Sequence, residues 1–140
     1  SSSVEETQQV AADILQQLSG RHVIALFGDL GSGQTVFVQG LARALGVKET
    51  VNSPTFTLIK EYPLNQGTGQ APFARLIHAD LYRLSEKEAG NLGLSEYFND
   101  RRSLVVIEWA DRLNPNAVAR AVKIQFKYLD GQKRQLSIWL

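Results

Sequence analysis

The chain alternates short apolar runs with glycine-rich or polar breaks, and this pattern predicts its elements. Through the first part of the chain an apolar side chain recurs at every third or fourth position, which predicts an amphipathic helix. Ser3 and Glu6 have the spacing of a capping box at the start of this helix, and Gly20 ends it. The later apolar runs are compact and uninterrupted, as buried strands are. We therefore expect helices and buried strands to alternate along the chain.

The elements predicted after this helix are strands over 22–27, 55–64, 73–82 and 103–109, and helices over 35–45 and within 85–99. The last of these is expected as one or two short helices, because Gly90 and Gly93 interrupt it. Asp130 and Gly131 form a hairpin signal between the runs VKIQFKYL and KRQLSIWL. The sum predicts an α/β fold with a mixed or largely parallel sheet that ends in an antiparallel hairpin.

The composition is that of one globular domain. At 140 residues the chain can build one core and is too short for two ordinary domains, so we expect residues 1–140 to form a single unit. A hydrophobic fraction of 44% with 21% charged residues is typical of soluble proteins. No apolar run approaches the ~20 residues that span a bilayer, and no basic-then-apolar leader is seen. With no cysteine for disulfides, we expect a cytoplasmic protein without membrane contact.

The charge of the chain is small but uneven. A net charge of +1 argues against a protein whose main function is to bind nucleic acid, and we expect no DNA partner. Eleven of the fifteen Lys and Arg residues nevertheless lie in 71–140. A solvated surface is the ordinary interpretation of such a distribution. A contact face for RNA or for an acidic partner is the alternative.

Residues 28–35, GDLGSGQT, match the Walker A pattern G-x-x-x-x-G-K-[ST] at Gly28, Gly33 and Thr35. The match lies between a predicted strand and a predicted helix, which is the context that such a loop requires. Its backbone N–H groups would form a concave anion site, and Thr35 lies where a hydroxyl normally binds magnesium. The alternative is a glycine-rich turn without a ligand. The match predicts a nucleotide-binding protein with a P-loop NTPase-like three-layer fold.

Gln34 occupies the position of the Walker A lysine, which normally reaches the β- and γ-phosphates. Glutamine has a shorter stem and donates only neutral hydrogen bonds, which are roughly half as strong as charge-assisted ones. We expect this change to weaken triphosphate binding by ~1.5–3 kcal/mol. The cost to phosphoryl transfer is expected to be larger, because charge spreads over the γ-oxygens in the transition state.

Two acidic residues end apolar strands. Glu108 follows VVI, where P-loop proteins hold magnesium or its water, and Asp80 could hold a metal-bound water or orient the attacking one. A surface acid at a strand end is the alternative for Glu108. His78 shares a strand face with Asp80 and is interpreted as a satisfied, partly buried histidine. Trp109 could cover a base by stacking, although an aromatic residue at a strand end is more often part of the core.

Ser53, Pro54 and Thr55 begin a hydroxyl-rich segment, SPTFT, that enters a predicted strand. Pro54 stiffens it, and the hydroxyls of Ser53 and Thr55 are potential ligands of a γ-phosphate or of magnesium, as in switch loops. The alternative is an ordinary entry from a loop into a strand.

Five segments, GDLGSGQT, SPTFT, HADLYRL, LGLSEYF and VVIEWADRL, resemble in order and spacing the TsaE (YjeE) family of bacterial P-loop ATPases. The resemblance covers the chain from about Glu6 to about Leu113. It implies a small cytoplasmic ATPase, with ATP and Mg²⁺ as cofactors, that is needed for the threonylcarbamoyladenosine modification of tRNA. It also implies TsaD and TsaB as partners. TsaD transfers the threonylcarbamoyl group, so this chain would reach tRNA indirectly through TsaD.

The resemblance implies roles for particular residues. The nucleotide would be held by the Walker A segment and one aromatic residue: Gly28, Asp29, Leu30, Gly31, Ser32, Gly33, Gln34, Thr35, Val36 and Trp109. Thr35 and Glu108 would bind magnesium, and Asp80 and Glu108 would be the catalytic acids. The segment 53–55 would act as a switch. The family has lysine at position 34 and usually a hydroxyl residue at position 36, so the departures concern hydrolysis more than fold or partners.

Two other functions fit parts of the sequence. A small-molecule kinase would need a substrate lid, usually with arginines, and the loop 65–72 has none. A non-hydrolysing, nucleotide-dependent interaction module is favoured by Gln34. Retention of Thr35, Asp80 and Glu108 speaks against such a module, because a decayed site has no need of three polar ligands.

Overall fold

The computed structural model describes residues 3–28, 33–52, 58–64, 73–130 and 133–140. Its helices are α1 (Val4–Leu15), α2 (Gln34–Ala44), α3 (Glu86–Gly90) and α4 (Leu94–Phe98). Its strands are β1 (Val23–Gly28), β2 (Ile59–Pro63), β3 (Arg75–Asp80), β4 (Ser103–Glu108), β5 (Val122–Asp130) and β6 (Lys133–Trp139). Within these ranges no helix has the length and apolar character needed to cross a bilayer.

The six strands form one sheet in the order β2-β3-β4-β1-β5-β6. The central strands β3, β4, β1 and β5 run parallel, and an antiparallel strand lies at each edge. The predicted mostly parallel sheet with a C-terminal antiparallel hairpin is therefore confirmed, although 131–132 lie outside the described residues. The antiparallel pairing of β2 with β3 is a further finding. The sequence does not predict it, because the joining segment 65–72 lacks a two-residue turn signal.

Side chains that alternate along the strands fill two hydrophobic cores on opposite faces of the sheet. Ile24 and Leu26 of β1 face the core under α1 and α2, whereas Ala25 faces the core shared with α3 and α4. All three side chains are fully buried. The arrangement is helix, sheet, helix, which confirms the predicted three-layer α/β fold.

Helices α1 and α2 pack closely because α2 carries a glycine at their contact. A Cβ on Gly40 would lie 2.6 Å from the Cα of Gln8 in α1, which is closer than real contacts allow. At the start of α1 the Ser3 hydroxyl accepts a hydrogen bond from the Glu6 N–H at 3.1 Å, as its cap position predicts. The packing fixes the orientation of α2, whose N-terminus helps to build the candidate site.

Some element boundaries differ from expectation. Helix α1 ends at Leu15, earlier than predicted, because the following N–H groups bond three residues back and tighten the last turn. Strand β4 stops before Trp109, which adopts the left-handed region at a φ of 59°. The predicted break at Gly90 and Gly93 is confirmed, since α3 ends at Gly90 and Gly93 is the N-cap of α4.

Candidate nucleotide site

The carboxyl end of β1 requires glycine on two grounds. Gly28 has a φ of 143°, and a Cβ on it would lie 2.4 Å from the carbonyl oxygen of Phe126 in β5. No side chain fits there, so the chain must leave the sheet through the first fixed glycine of the Walker A pattern. The next residues, 29–32, were predicted to bind nucleotide and lie outside the described residues.

Among the described residues, no side chain caps the start of helix α2. Its N-cap residue is Gly33, at a φ of 101°, and its first turn carries no acidic residue. The first N–H groups of a helix lack intrahelical partners, and the helix dipole is positive at this end. An anion placed there would be stabilised by the backbone, as in a phosphate-binding loop. Val36, a predicted nucleotide contact, lies half-buried in this turn.

Gln34 folds back onto two strand ends. Its Oε1 accepts a hydrogen bond from the main-chain N–H of Trp109 at 3.0 Å, and its Nε2 lies 3.5 Å from the Gly28 carbonyl oxygen. The second distance is at the limit of a hydrogen bond. Gln34 is only 5% exposed. A lysine has donors only and could not accept a hydrogen bond from the Trp109 N–H. The glutamine therefore brings no charge to the phosphates and instead links α2 to the ends of β1 and β4.

Glu108, at the end of β4, joins three elements. The Thr35 hydroxyl donates to its Oε1 at 2.8 Å, and His78 Nε2 lies 2.5 Å from its Oε2. Glu108 is 3% exposed. A buried carboxylate is costly unless it is hydrogen-bonded, and here each oxygen has a protein partner. The two contacts satisfy the carboxylate and fix its position against the first turn of α2.

The contact of His78 with Glu108 is the part of the site that the sequence interpretation missed. His78 is fully buried rather than partly buried. Because a carboxylate only accepts, the contact places a ring proton on Nε2, while Nδ1 has no hydrogen-bond partner within the described part of the chain. The signal was the shared face: His78 and Asp80 point the same way from β3, beside the face of β4 that carries Glu108.

Asp80 ends β3 directly beside Glu108. The two residues are register partners in the parallel ladder, which places their Cα atoms about 5 Å apart. The Asp80 Oδ1 accepts a hydrogen bond from the Tyr82 N–H at 3.0 Å. Asp80 is half-buried whereas Glu108 is buried, so two acids at one sheet edge have different environments.

Aromatic and cationic side chains surround the residue after Glu108. The Trp109 ring lies 4.9 Å from the Tyr82 ring between centroids, and the Arg112 guanidinium carbon lies 5.5 Å from the Trp109 centroid. Trp109 is half-buried and packs on the second core, while Tyr82 is 42% exposed. The aromatic pair therefore belongs partly to the core and partly to the surface at this edge.

The described residues fit a magnesium ion that is bound mainly by a nucleotide. Mg²⁺ prefers oxygen ligands and usually takes one or two protein groups together with phosphates and water. Thr35 and Glu108 bring a hydroxyl and a carboxylate oxygen within 2.8 Å of each other. In the described ranges no group of three or more His, Asp or Glu residues is placed to hold a metal ion.

Three hydrogen-bond contacts, together with the peptide bonds 34–35 and 108–109, link five predicted site residues into one network: Gly28, Gln34, Thr35, Glu108 and Trp109. Asp80 adjoins this network through its register with Glu108. The predicted switch residues Ser53, Pro54 and Thr55 lie outside the described residues. The network is therefore built by the first turn of α2 and the carboxyl ends of β1, β3 and β4.

Comparison with known proteins identifies the family. The family model described as threonylcarbamoyl adenosine biosynthesis protein TsaE matches residues 1–136. The tRNA threonylcarbamoyladenosine biosynthesis protein TsaE of Aquifex aeolicus (strain VF5) is 38% identical over 139 residues, which cover 98% of this chain and 91% of that protein. The protein of the same name from Bacillus subtilis (strain 168) is 37% identical over 133 residues, covering 95% and 78%.

A solved structure agrees with the sequence comparisons. The crystal structure of Bacillus subtilis YdiB superposes with a TM-score of 0.68 at 30% identity, covering 99% of this chain and 80% of that one. The family match spans nearly the whole chain, including every element that builds the network around Glu108. This chain belongs to the TsaE family, whose members are named for the biosynthesis of threonylcarbamoyladenosine in tRNA.

Proposed function

We propose that this chain binds ATP with Mg²⁺ at the carboxyl edge of its sheet and hydrolyses it in support of tRNA threonylcarbamoyladenosine modification. The observation that carries the proposal is the 2.8 Å contact between Thr35 and Glu108. It joins the hydroxyl position of the Walker A pattern to a buried acid at the end of β4. A glycine-rich turn without a ligand has no need of such an acid, whereas a nucleotide-bound cation does.

The backbone around the loop would hold the phosphates. The positive φ of Gly28 and Gly33 lets the main chain enter and leave the loop without a Cβ in the way. The start of α2, with glycine as its N-cap residue, offers N–H groups and the positive end of the helix dipole. Trp109 and Tyr82 would lie by the base, because their rings form the aromatic part of this edge.

Thr35 and Glu108 would hold the magnesium ion, which when bound supplies positive charge to the phosphate oxygens. His78 would act as a positioning residue. Its Nε2–H keeps Oε2 of Glu108 in place, so that Oε1 remains directed to Thr35. Asp80, half-buried beside Glu108, would accept a hydrogen bond from the attacking water and orient it.

The proposal includes TsaD and TsaB as partners, with tRNA reached indirectly through TsaD. Its support is the family membership, since the relatives carry the name of the pathway that modifies tRNA. A task of this kind would be carried out in the cytoplasm, where bacterial tRNA is found. Hydrolysis is expected to be slow in the chain alone, because Gln34 brings no charge to the γ-phosphate.

Nucleotide titration tests the site directly. Calorimetry with ATP is carried out with Mg²⁺ and with a chelator, on the native chain and on Thr35→Val. We expect Mg²⁺ to tighten binding in the native chain and to have little effect in the variant. Thr50→Val is the matched control, because Thr50 is exposed and lies outside the site. Equal magnesium effects in all three proteins would contradict the proposal.

A non-hydrolysing, nucleotide-dependent module is the second candidate. It is favoured by Gln34, whose side chain is bonded to Trp109 rather than carrying a charge to the phosphates. The two candidates differ in phosphate release when TsaB and TsaD are present. Release coupled to tRNA modification supports the ATPase, whereas modification that requires ATP binding without release supports the module.

A further inference from the structure

Two adjoining cavities lie at the amino edge of the sheet. Their volumes are ≈ 480 and ≈ 370 Å³, and they share Arg21 and the segment 119–121 in their linings. The lining segments precede β1, β4 and β5, so the cavities lie where these parallel strands begin. We call the two cavities together the groove. The six residues of β1 span about 20 Å, so the groove lies about that far from the candidate nucleotide site at the opposite edge of the sheet.

Four basic side chains line the groove: Arg21, Arg101, Arg120 and Lys123. Among the residues that the structure describes, no Asp or Glu lines either cavity. The ion pairs found in the described ranges involve other residues, so none of the four is neutralised by a carboxylate there. The Arg21 Nε donates to the Leu18 carbonyl at 3.0 Å, which anchors that side chain at the groove. Unpaired cations around a concave surface favour an anionic ligand.

An exposed indole continues the groove. Trp139 of β6 lines the second cavity and is 56% exposed. It is the register partner of Lys123 in β5, so the two side chains stand side by side on one face of the hairpin. A cation beside an accessible aromatic ring is the combination with which proteins hold single-stranded nucleic acid: charge meets the backbone and a base stacks on the ring.

We infer that this groove binds single-stranded RNA, with Arg21, Arg101, Arg120 and Lys123 on the phosphates and Trp139 against a base. An acidic protein segment would pair with the basic side chains but would bring no base to stack on the exposed indole of Trp139. The inference goes beyond the proposed function, because the groove and the candidate nucleotide site share no residue. An unpaired loop of a tRNA is an RNA that the family's role in tRNA modification makes available, and direct contact of the groove with it would add to the indirect contact through TsaD.

Fluorescence anisotropy with a labelled oligouridylate of about 12 nucleotides tests the charges. We expect the double variant Arg101→Ala, Arg120→Ala to bind at least about tenfold more weakly. Its slope of log affinity against log salt should be shallower by about 1.4, since each single-strand phosphate contact contributes roughly 0.7. The control, Lys48→Ala with Lys87→Ala, removes the same charge from exposed positions outside the groove. Equal loss in the control, or no loss in the groove variant, would overturn the inference.

Tryptophan fluorescence tests the stacking. The chain has two tryptophans, so in Trp109→Phe the emission comes from Trp139 alone. We expect oligouridylate to quench it, and we expect Trp139→Ala to weaken binding about tenfold while Trp139→Phe retains most of the affinity. RNA binding without quenching, and unaffected by Trp139→Ala, would show that the ring is no part of the site.

Two further measurements keep the outcome clear if a variant folds poorly. Arg101→Lys with Arg120→Lys preserves the charge and is expected to keep most of the RNA affinity. ATP titration of the same variants measures nucleotide binding at the opposite edge of the sheet. A failure of the proposed nucleotide site is therefore distinguished from a failure of RNA binding in the groove. Variants that keep RNA affinity but lose TsaB–TsaD binding would show that the groove docks an acidic protein surface, and the RNA inference would fall.

Discussion

The main-chain N–H of Trp109 donates a 3.0 Å hydrogen bond to the side-chain oxygen of Gln34. Trp109 holds a left-handed backbone conformation, which a bulky residue adopts only when its surroundings impose it. The residue that replaces the Walker A lysine thus takes part in holding the turn after β4. The substitution has consequences for both binding and stability.

Replacing Gln34 by lysine should move these two properties in opposite directions. We expect Gln34→Lys to tighten Mg-ATP binding by ~1.5–3 kcal/mol, because an ammonium can reach the phosphates. The nucleotide-free variant should lose about 1 kcal/mol of unfolding free energy, or about 4 °C in melting temperature, because the Trp109 N–H loses its acceptor. Calorimetry and thermal unfolding measure the two effects. Gln17→Lys adds the same charge at an exposed position and should change neither property.

Removing the His78 contact should disturb Glu108. In His78→Leu one carboxylate oxygen stays buried without its donor, which should cost about 1–3 kcal/mol of unfolding free energy in urea titrations. The concentration of Mg²⁺ needed for half-maximal ATP affinity should also rise, since Glu108 is no longer held toward Thr35. His78→Gln restores a donor and should recover part of both losses. A change in stability alone, with the magnesium requirement intact, would exclude the positioning role.

The other histidine provides the matched control. His22 is half-buried, and its Nδ1 lies 3.0 Å from the Ser103 carbonyl oxygen, at the opposite edge of the sheet. His22→Gln should leave the magnesium requirement unchanged.

Local pattern predicted much of the fold, because helices and strands each show a short repeat of apolar positions along the sequence. The run VVIE predicted β4 and the acid at its end, and the Walker A spacing predicted the first turn of α2. The contacts inside the site were harder, because Gln34 and Trp109 are 75 residues apart and His78 and Glu108 are 30 apart. Such pairs depend on strand order, which no local period encodes.

Gly28 should tolerate no side chain. In Gly28→Ala the Cβ would lie 2.4 Å from the Phe126 carbonyl oxygen at a φ that favours glycine, so either β5 or the start of the loop must shift. We expect a loss of about 2 kcal/mol or more in unfolding free energy and a marked loss of ATP affinity. Gly90→Ala is the control, since nothing lies within 4 Å of its Cβ position in α3. That change should be neutral or slightly stabilising.

Asp100 should make stability depend on acid pH. The pKa of its carboxyl is held below the ordinary value by the main-chain N–H of Arg102, and then by the Ser103 hydroxyl and the Arg75 guanidinium. A carboxyl whose pKa is lower in the folded state than in the unfolded state stabilises the fold at every pH above the unfolded pKa, which is about 3.9. That contribution is lost as the pH falls through the folded pKa. Asp100→Asn should therefore be less stable at neutral pH and lose less stability on acidification.

Urea unfolding between about pH 6 and pH 2 measures this dependence. The difference between the native chain and Asp100→Asn should be largest at the upper end and should shrink below about pH 4. Asp111→Asn is the matched control, because Asp111 is exposed and has no hydrogen-bond or ion-pair partner among the described residues. A difference that stays constant with pH would mean that Asp100 acts through the shape of its hydrogen bonds and not through its charge.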